Sequence, residues 1–134
     1  MDTGALADAL VHEAIHAILY SIECSNPLVS AAPAGLLIRS PWSGNSLSIR
    51  TYLHACFVWY GLAKFWHAAL PAEVFPAERV KQLLAKALSG FRRTNPIDAV
   101  LPYAHLVSRT SLETAGSLQA NLQGEGEAGW EPQG

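Results

Sequence analysis

The chain has 134 residues, half of them hydrophobic and only 15% charged, a length and balance that suit one domain with a well-filled core. Nine basic residues against eleven acidic give a formal charge of -2, and apart from Arg92-Arg93 the cations are scattered, which argues against nucleic acid as a partner. Cys24 and Cys56 are too few and too far apart for a disulfide framework or a CxxC metal site; each lies in an apolar stretch and reads as a reduced, buried thiol of a cytoplasmic protein. No basic region precedes the apolar N-terminal run, and Leu47 to Leu70 is interrupted by Arg50, His54, Lys64 and His67, so neither is expected to be a signal peptide or to enter a membrane.

A first helix is expected from about Asp2 or Thr3, either of which can cap it, to about Cys24, where Ser25-Asn26-Pro27 stops it. Residues 28–45 hold Pro33, Gly35 and Pro41, then Ser43-Gly44-Asn45, around one short apolar run, Leu36-Leu37-Ile38, and read as a loop crossing the core. Asn45 or Ser46 is the expected cap of a second helix, Leu47 to about Leu70, apolar nearly all round through Leu53, Phe57, Val58, Leu62 and Trp66, and therefore central. Pro71 ends it, and Pro76 opens an amphipathic third helix to about Arg92, with Val80, Leu83, Leu84, Ala87, Leu88 and Phe91 as its apolar stripe. After Asn95-Pro96, residues 97–107 read as a shorter fourth helix that Pro102 can divide, and Thr110 with Glu113 resembles a capping box for a last helix to about Leu122. No strand pattern of any strength is visible. The sequence describes an all-α domain of about five helices over 1–123, with a glycine-, glutamate- and proline-rich disordered tail over 124–134.

Within the first helix stands His12-Glu13-Ala14-Ile15-His16, an HExxH motif. Residues four apart on a helix share a face one turn apart, so two imidazoles can point at one cation. Glu13 flanks them at the neighbouring angle, where in zinc hydrolases of this pattern it polarises the metal-bound water. The same three residues also fall together by chance on amphipathic helices. Against chance stand Leu10, Val11, Ile15, Ile18, Leu19 and Ile22, since burying two imidazoles and a carboxylate without partners is costly.

Catalytic zinc and non-haem iron centres usually take three protein ligands. The metzincin extension is excluded, because Leu19 and Ile22 occupy the places of its glycine and third histidine. Glu23 shares the helical face but lies about 10 Å along the axis from His16, out of reach of a metal bound to both histidines. Glu73, Glu78, Asp98 and Glu113 suit capping and dipole roles. His54, in the buried second helix, is the candidate third ligand; its alternative is a core histidine bonded to a backbone carbonyl. Arg50, one turn earlier, is either a fixed cation for a substrate carboxylate or a solvated residue of the helix's first turn. His67 and His105 read as structural or exposed.

HEAIH in a leading helix, then Ser40-Pro41-Trp42, then Leu53-His54 and the run Tyr60-Gly61-Leu62-Ala63-Lys64-Phe65-Trp66, resembles the HExxH-motif proteins encoded beside ribosomally made peptides. The similarity covers about positions 10 to 70. Some members are Fe(II)- and 2-oxoglutarate-dependent peptide β-hydroxylases, so the resemblance implies Fe(II) as the metal, with His12 and His16 matching the motif histidines, His54 the histidine of the second helix and Glu13 the motif glutamate. The family's Pro-Trp is typically followed by arginine, where this chain has Ser43; Arg50 would have to substitute in holding the 2-oxoglutarate carboxylate. Family members also have a substantial region ahead of the motif, so this chain is expected to be a short or partial member, with a second copy or a partner chain covering the apolar face left on that side.

These readings combine into a metal site between the first two helices and a peptide-modifying oxygenase acting on a ribosomally made peptide. The first rival is a small zinc peptidase in which Glu13 is the general base on Zn(II)-bound water. The second is a helical binding module without chemistry.

Overall fold

The computed structural model describes residues 2–125 and is all-α apart from one small hairpin. Its elements in chain order are α1 (Thr3–Glu23), β1 (Leu37–Arg39), β2 (Ser46–Ser48), α2 (Ile49–Ala72), α3 (Ala77–Arg93), two 3-10 helices (Pro96–Ala99 and Leu101–Leu106) and α4 (Arg109–Glu125). The tail expected over 124–134 lies, from 126 on, outside the described residues.

Helix starts follow from which side-chain oxygens are free to cap. Asp2 Oδ1 accepts from the Ala5 N–H at 2.7 Å and opens α1. Asn45 and Ser46, the expected caps of α2, are instead used by the hairpin: Ser46 pairs with Arg39, and the Asn45 carbonyl accepts from the Ser40 N–H at 2.8 Å. The cap passes to Ser48, whose Oγ accepts from the Thr51 N–H at 3.2 Å. In the same way Ser108 Oγ, not Thr110, caps α4 by accepting from the Ser111 N–H at 3.1 Å. Pro71 does not end α2 but sits inside its last turn, and the helix stops at Glu73, whose φ of 56° is left-handed. The hairpin was not visible in the sequence because its strands have three residues each and bury only Ile38 and, partly, Leu47.

The centre of the molecule is α2. On one side Val58, Leu62, Ala63 and Trp66 pack on the α3 stripe, with Val80, Leu84, Ala87 and Leu88 all buried as expected. Trp66 is fully buried, and its indole N–H donates to Asp8 Oδ1 of α1 at 2.8 Å. Nearer its start, Ile49, Tyr52, Leu53 and Cys56 form a second cluster with Ile97, Val100 and Val107. Leu28 and Ser30 hold the crossing loop against residues 106–108 through backbone bonds of 2.8 Å.

α1 lies across the remaining side of α2 and comes close because Gly61 has no side chain; a Cβ there would collide with Cδ1 of Ile15. Yet only Gly4 and Leu19 of α1 are buried. Of the six apolar residues expected around the motif, Leu10, Ile18 and Ile22 face outward at 63%, 60% and 46% exposure, while Leu19 is buried and Val11 and Ile15 are partly so. Cys24 is likewise exposed, not a core thiol, whereas Cys56 is buried. By length and composition alone α1 could cross a membrane, a test that core helices and signal sequences also pass.

Candidate functional site

Three residues of α1 and two of α2 form a continuous polar chain along the α1–α2 seam. His12 and His16, one turn apart on α1, bring their Nε2 atoms to 3.2 Å. Across the seam, His16 Nδ1 and His54 Nδ1 are 3.1 Å apart. His54 Nε2 meets Glu23 Oε1 at 2.5 Å, and Glu23 takes two bonds from Arg50, from Nε at 2.7 Å and from Nη2 at 3.0 Å. Tyr20 covers this chain from outside: its ring stacks on His16 at 5.8 Å between centroids, lies 5.2 Å from the His54 ring, and carries the Arg50 guanidinium 5.4 Å above its own centre.

The electrostatics follow the contacts. Arg50 first, and then His54, hold the Glu23 carboxyl below the ordinary carboxylate range, and Glu23 in turn raises Arg50. Burial first, then the neighbouring His12 and His54 and the Arg50 cation, push His16 below an ordinary imidazole, with only the charge of Glu13 acting the other way. His54 is 3% exposed and has both ring nitrogens engaged.

His12 and His16 sit together as their spacing requires, and His54 reaches them as expected for a residue of the second helix. The three do not converge on one point, however. His16 faces His12 with Nε2 and His54 with the opposite nitrogen, and among the described residues no three metal-ligating side chains form a group that could hold an ion. His16 turns a different nitrogen to each neighbour, so the expected three-imidazole set is not formed in this arrangement of the rings. What remains available for a metal is the His12–His16 pair. With bonds of about 2.1 Å, nitrogens 3.2 Å apart subtend about 100° at a cation, between octahedral and tetrahedral values.

Glu13 is exposed on the adjoining face of α1, open to solvent. Arg50 is at the rim with its side chain 48% exposed, but two of its donors are committed to Glu23, which answers the choice between a substrate cation and a solvated side chain with a third arrangement. His67 and His105 are exposed and outside the chain of contacts. Sequence reasoning missed Glu23 and Tyr20. Glu23 is correctly too far from His16 to share its ligand position, but a residue of α2 can bridge the gap; Tyr20 follows His16 at the same four-residue step that joins His12 to His16.

No family model matches the chain, and no curated protein or solved structure shows significant similarity to it.

Proposed function

We propose that this chain is a metal-dependent enzyme whose cation is held by His12 and His16, of the peptide-modifying oxygenase type that its HEAIH, Pro-Trp and Leu-His motifs resemble. The observation that carries the metal reading is the approach of two Nε2 atoms to 3.2 Å on one helix face, a distance that suits two nitrogens on a shared cation. Fe(II) with 2-oxoglutarate and O₂ would supply the oxidising chemistry for adding one oxygen atom to a peptide side chain. The protein's part is then to present two imidazoles, to leave the remaining metal positions open, and to keep Tyr20 and Arg50 at the rim. Anchoring a cosubstrate carboxylate at Arg50 requires it to share the guanidinium with Glu23. An apolar groove of about 410 Å³, lined by Ile15, Ile18, Leu19, Phe57 and Tyr60, runs beside the motif helix and suits the apolar side chains of a peptide.

This reading goes with a cytoplasmic protein that meets neither membrane nor nucleic acid. The polar side of α1 is already docked, Asp8 on Trp66 and His16 on His54, and the outward stripe of Leu6, Leu10, Ile18 and Ile22 is the face that a second copy or partner chain would cover.

One observation favours the zinc peptidase as a second reading: Glu13 stands exposed beside the pair, and the β1–β2 hairpin, which leads directly into α2, provides a short strand edge of the sort peptidases use for substrate. Metal analysis of protein purified without oxygen, followed by peptide assays, separates the readings. The expected result is stoichiometric iron and an oxygen- and 2-oxoglutarate-dependent mass gain of one oxygen on peptide, retained in Glu13→Gln. Zinc with peptide cleavage lost in Glu13→Gln would establish the second reading, and no metal at all would reduce the chain to a helical binding module.

A further inference from the structure

The chain of contacts running away from the His12–His16 pair has a direction. Glu23 is acceptor-only as a carboxylate, so the nitrogen of His54 that faces it, Nε2, must carry the proton. In a neutral ring, His54 Nδ1 is then bare and can only accept, so the proton between the two Nδ1 atoms 3.1 Å apart belongs to His16. Neutral His16 with its proton on Nδ1 has its lone pair on Nε2, the atom 3.2 Å from His12. The opposite arrangement needs a second proton on His54. Glu23 would then have to balance two cations, since Arg50 already donates two bonds to it, and the extra charge would lie in a buried ring.

We infer that Glu23 and His54 are positioning residues that fix His16 as the Nδ1–H tautomer and so present its Nε2 lone pair to a divalent cation; His12 Nε2, which donates to it in the metal-free protein, gives up its proton to the other ring nitrogen or to solvent when the cation binds. The inference rests on the metal reading above only for the cation; the tautomer stands on the contacts alone. Carboxylate–histidine pairs behind a metal-bound imidazole play this part generally, setting ring orientation and basicity. His54 is then the residue behind the ligand instead of a third ligand, and Arg50 orients Glu23 as Glu23 orients His54. The arrangement also accounts for a feature of the sequence: Glu23, one turn of helix beyond Tyr20 and two beyond His16, is placed to reach round to α2 while leaving the metal position free.

The test is nitrogen NMR of the five imidazoles in metal-free, ¹⁵N-histidine-labelled protein near neutral pH, followed by titration with Zn(II) or Co(II). The expected spectrum shows His16 protonated on Nδ1 and bare on Nε2, and His54 protonated on Nε2. In Glu23→Ala this preference is lost, and divalent-metal affinity drops about 10- to 100-fold while far-UV circular dichroism stays that of the folded protein. Because Glu23→Ala also frees Arg50, Arg50→Lys serves as a second variant, expected to keep both tautomers and most of the affinity. A His16 ring protonated on Nε2, or unchanged metal affinity in a folded Glu23→Ala protein, overturns the inference. The expected tautomers in a protein that binds no metal would support the inference while removing the metal reading on which its use depends.

Discussion

The two long sides of α2 are built on opposite principles. Toward α3 the seam is apolar and closed: Leu62, Ala63, Trp66 and Val80 are fully buried, and Trp42 lies over Gly90 with its indole N–H on the Ala87 carbonyl at 3.0 Å. Toward α1 the seam carries three imidazoles, a carboxylate and a guanidinium in one line of contacts, beside a thin apolar contact of buried Leu19 and partly buried Ala7, Val11 and Ile15. Apolar burial is non-directional and tolerates any ring orientation that fills the space, whereas a line of hydrogen bonds fixes which nitrogen points where. The α3 side therefore holds the fold, and the α1 side holds a geometry.

The largest difference between the two sides is expected at Trp66. Trp66→Ala removes a fully buried indole and leaves Asp8 without its donor, and should cost about 3–5 kcal/mol in urea unfolding. His16→Ala, on the other seam, should cost far less; an equal loss would show that the polar seam is also structural.

A sharper form sets two glycines against each other. A methyl at either Gly90 or Gly61 would collide with a packed side chain, from the hairpin loop at Gly90 and from α1 at Gly61, but the obstacles differ. At Gly90 it is the Trp42 ring, stacked on Trp59 and bonded to Ala87, so Gly90→Ala should lose about 1–3 kcal/mol. At Gly61 it is the end of Ile15, which can turn aside, and the loss should fall below that of Gly90→Ala in parallel melts.

The smallest expected effect is in pH. His16 is held below the imidazole reference of 6.5, so the folded protein favours the neutral ring. Its contribution is complete above that value and is lost as pH falls through the lower folded-state value. Glu23, held below 4.5, adds a second loss further into acid, where folding no longer benefits from the charged carboxylate. In metal-free protein the His16→Ala variant should lack the first decline and keep the second, measured as thermal midpoint against pH.

Much of the fold was legible because it rests on local signals. The α3 stripe, the Asp2 cap, the breaks at Asn26-Pro27 and Asn95-Pro96 and the central position of α2 all appear where the sequence put them. The connections were less legible: Asn45 and Ser46 go to a hairpin too short to show an alternating pattern, and the expected fourth helix is two 3-10 helices on either side of Val100. At the site, the pairing of His12 with His16 follows from helix geometry, and the approach of His54 follows from its place in a buried helix. Which nitrogen each ring would offer was not legible, because it depends on Glu23 and Arg50, residues 27 positions apart that meet only when α1 crosses α2.

Whether His12 and His16 hold a cation is decided by calorimetric titration of the metal-free protein with Zn(II) or, without oxygen, Fe(II), with His12→Ala/His16→Ala as the paired sample and His105→Ala as control. The expected result is one cation per chain in the native protein and in the control, and none in the double variant, which should retain its helical circular dichroism. Equal binding by a folded double variant, or no binding by the native protein, would contradict the account.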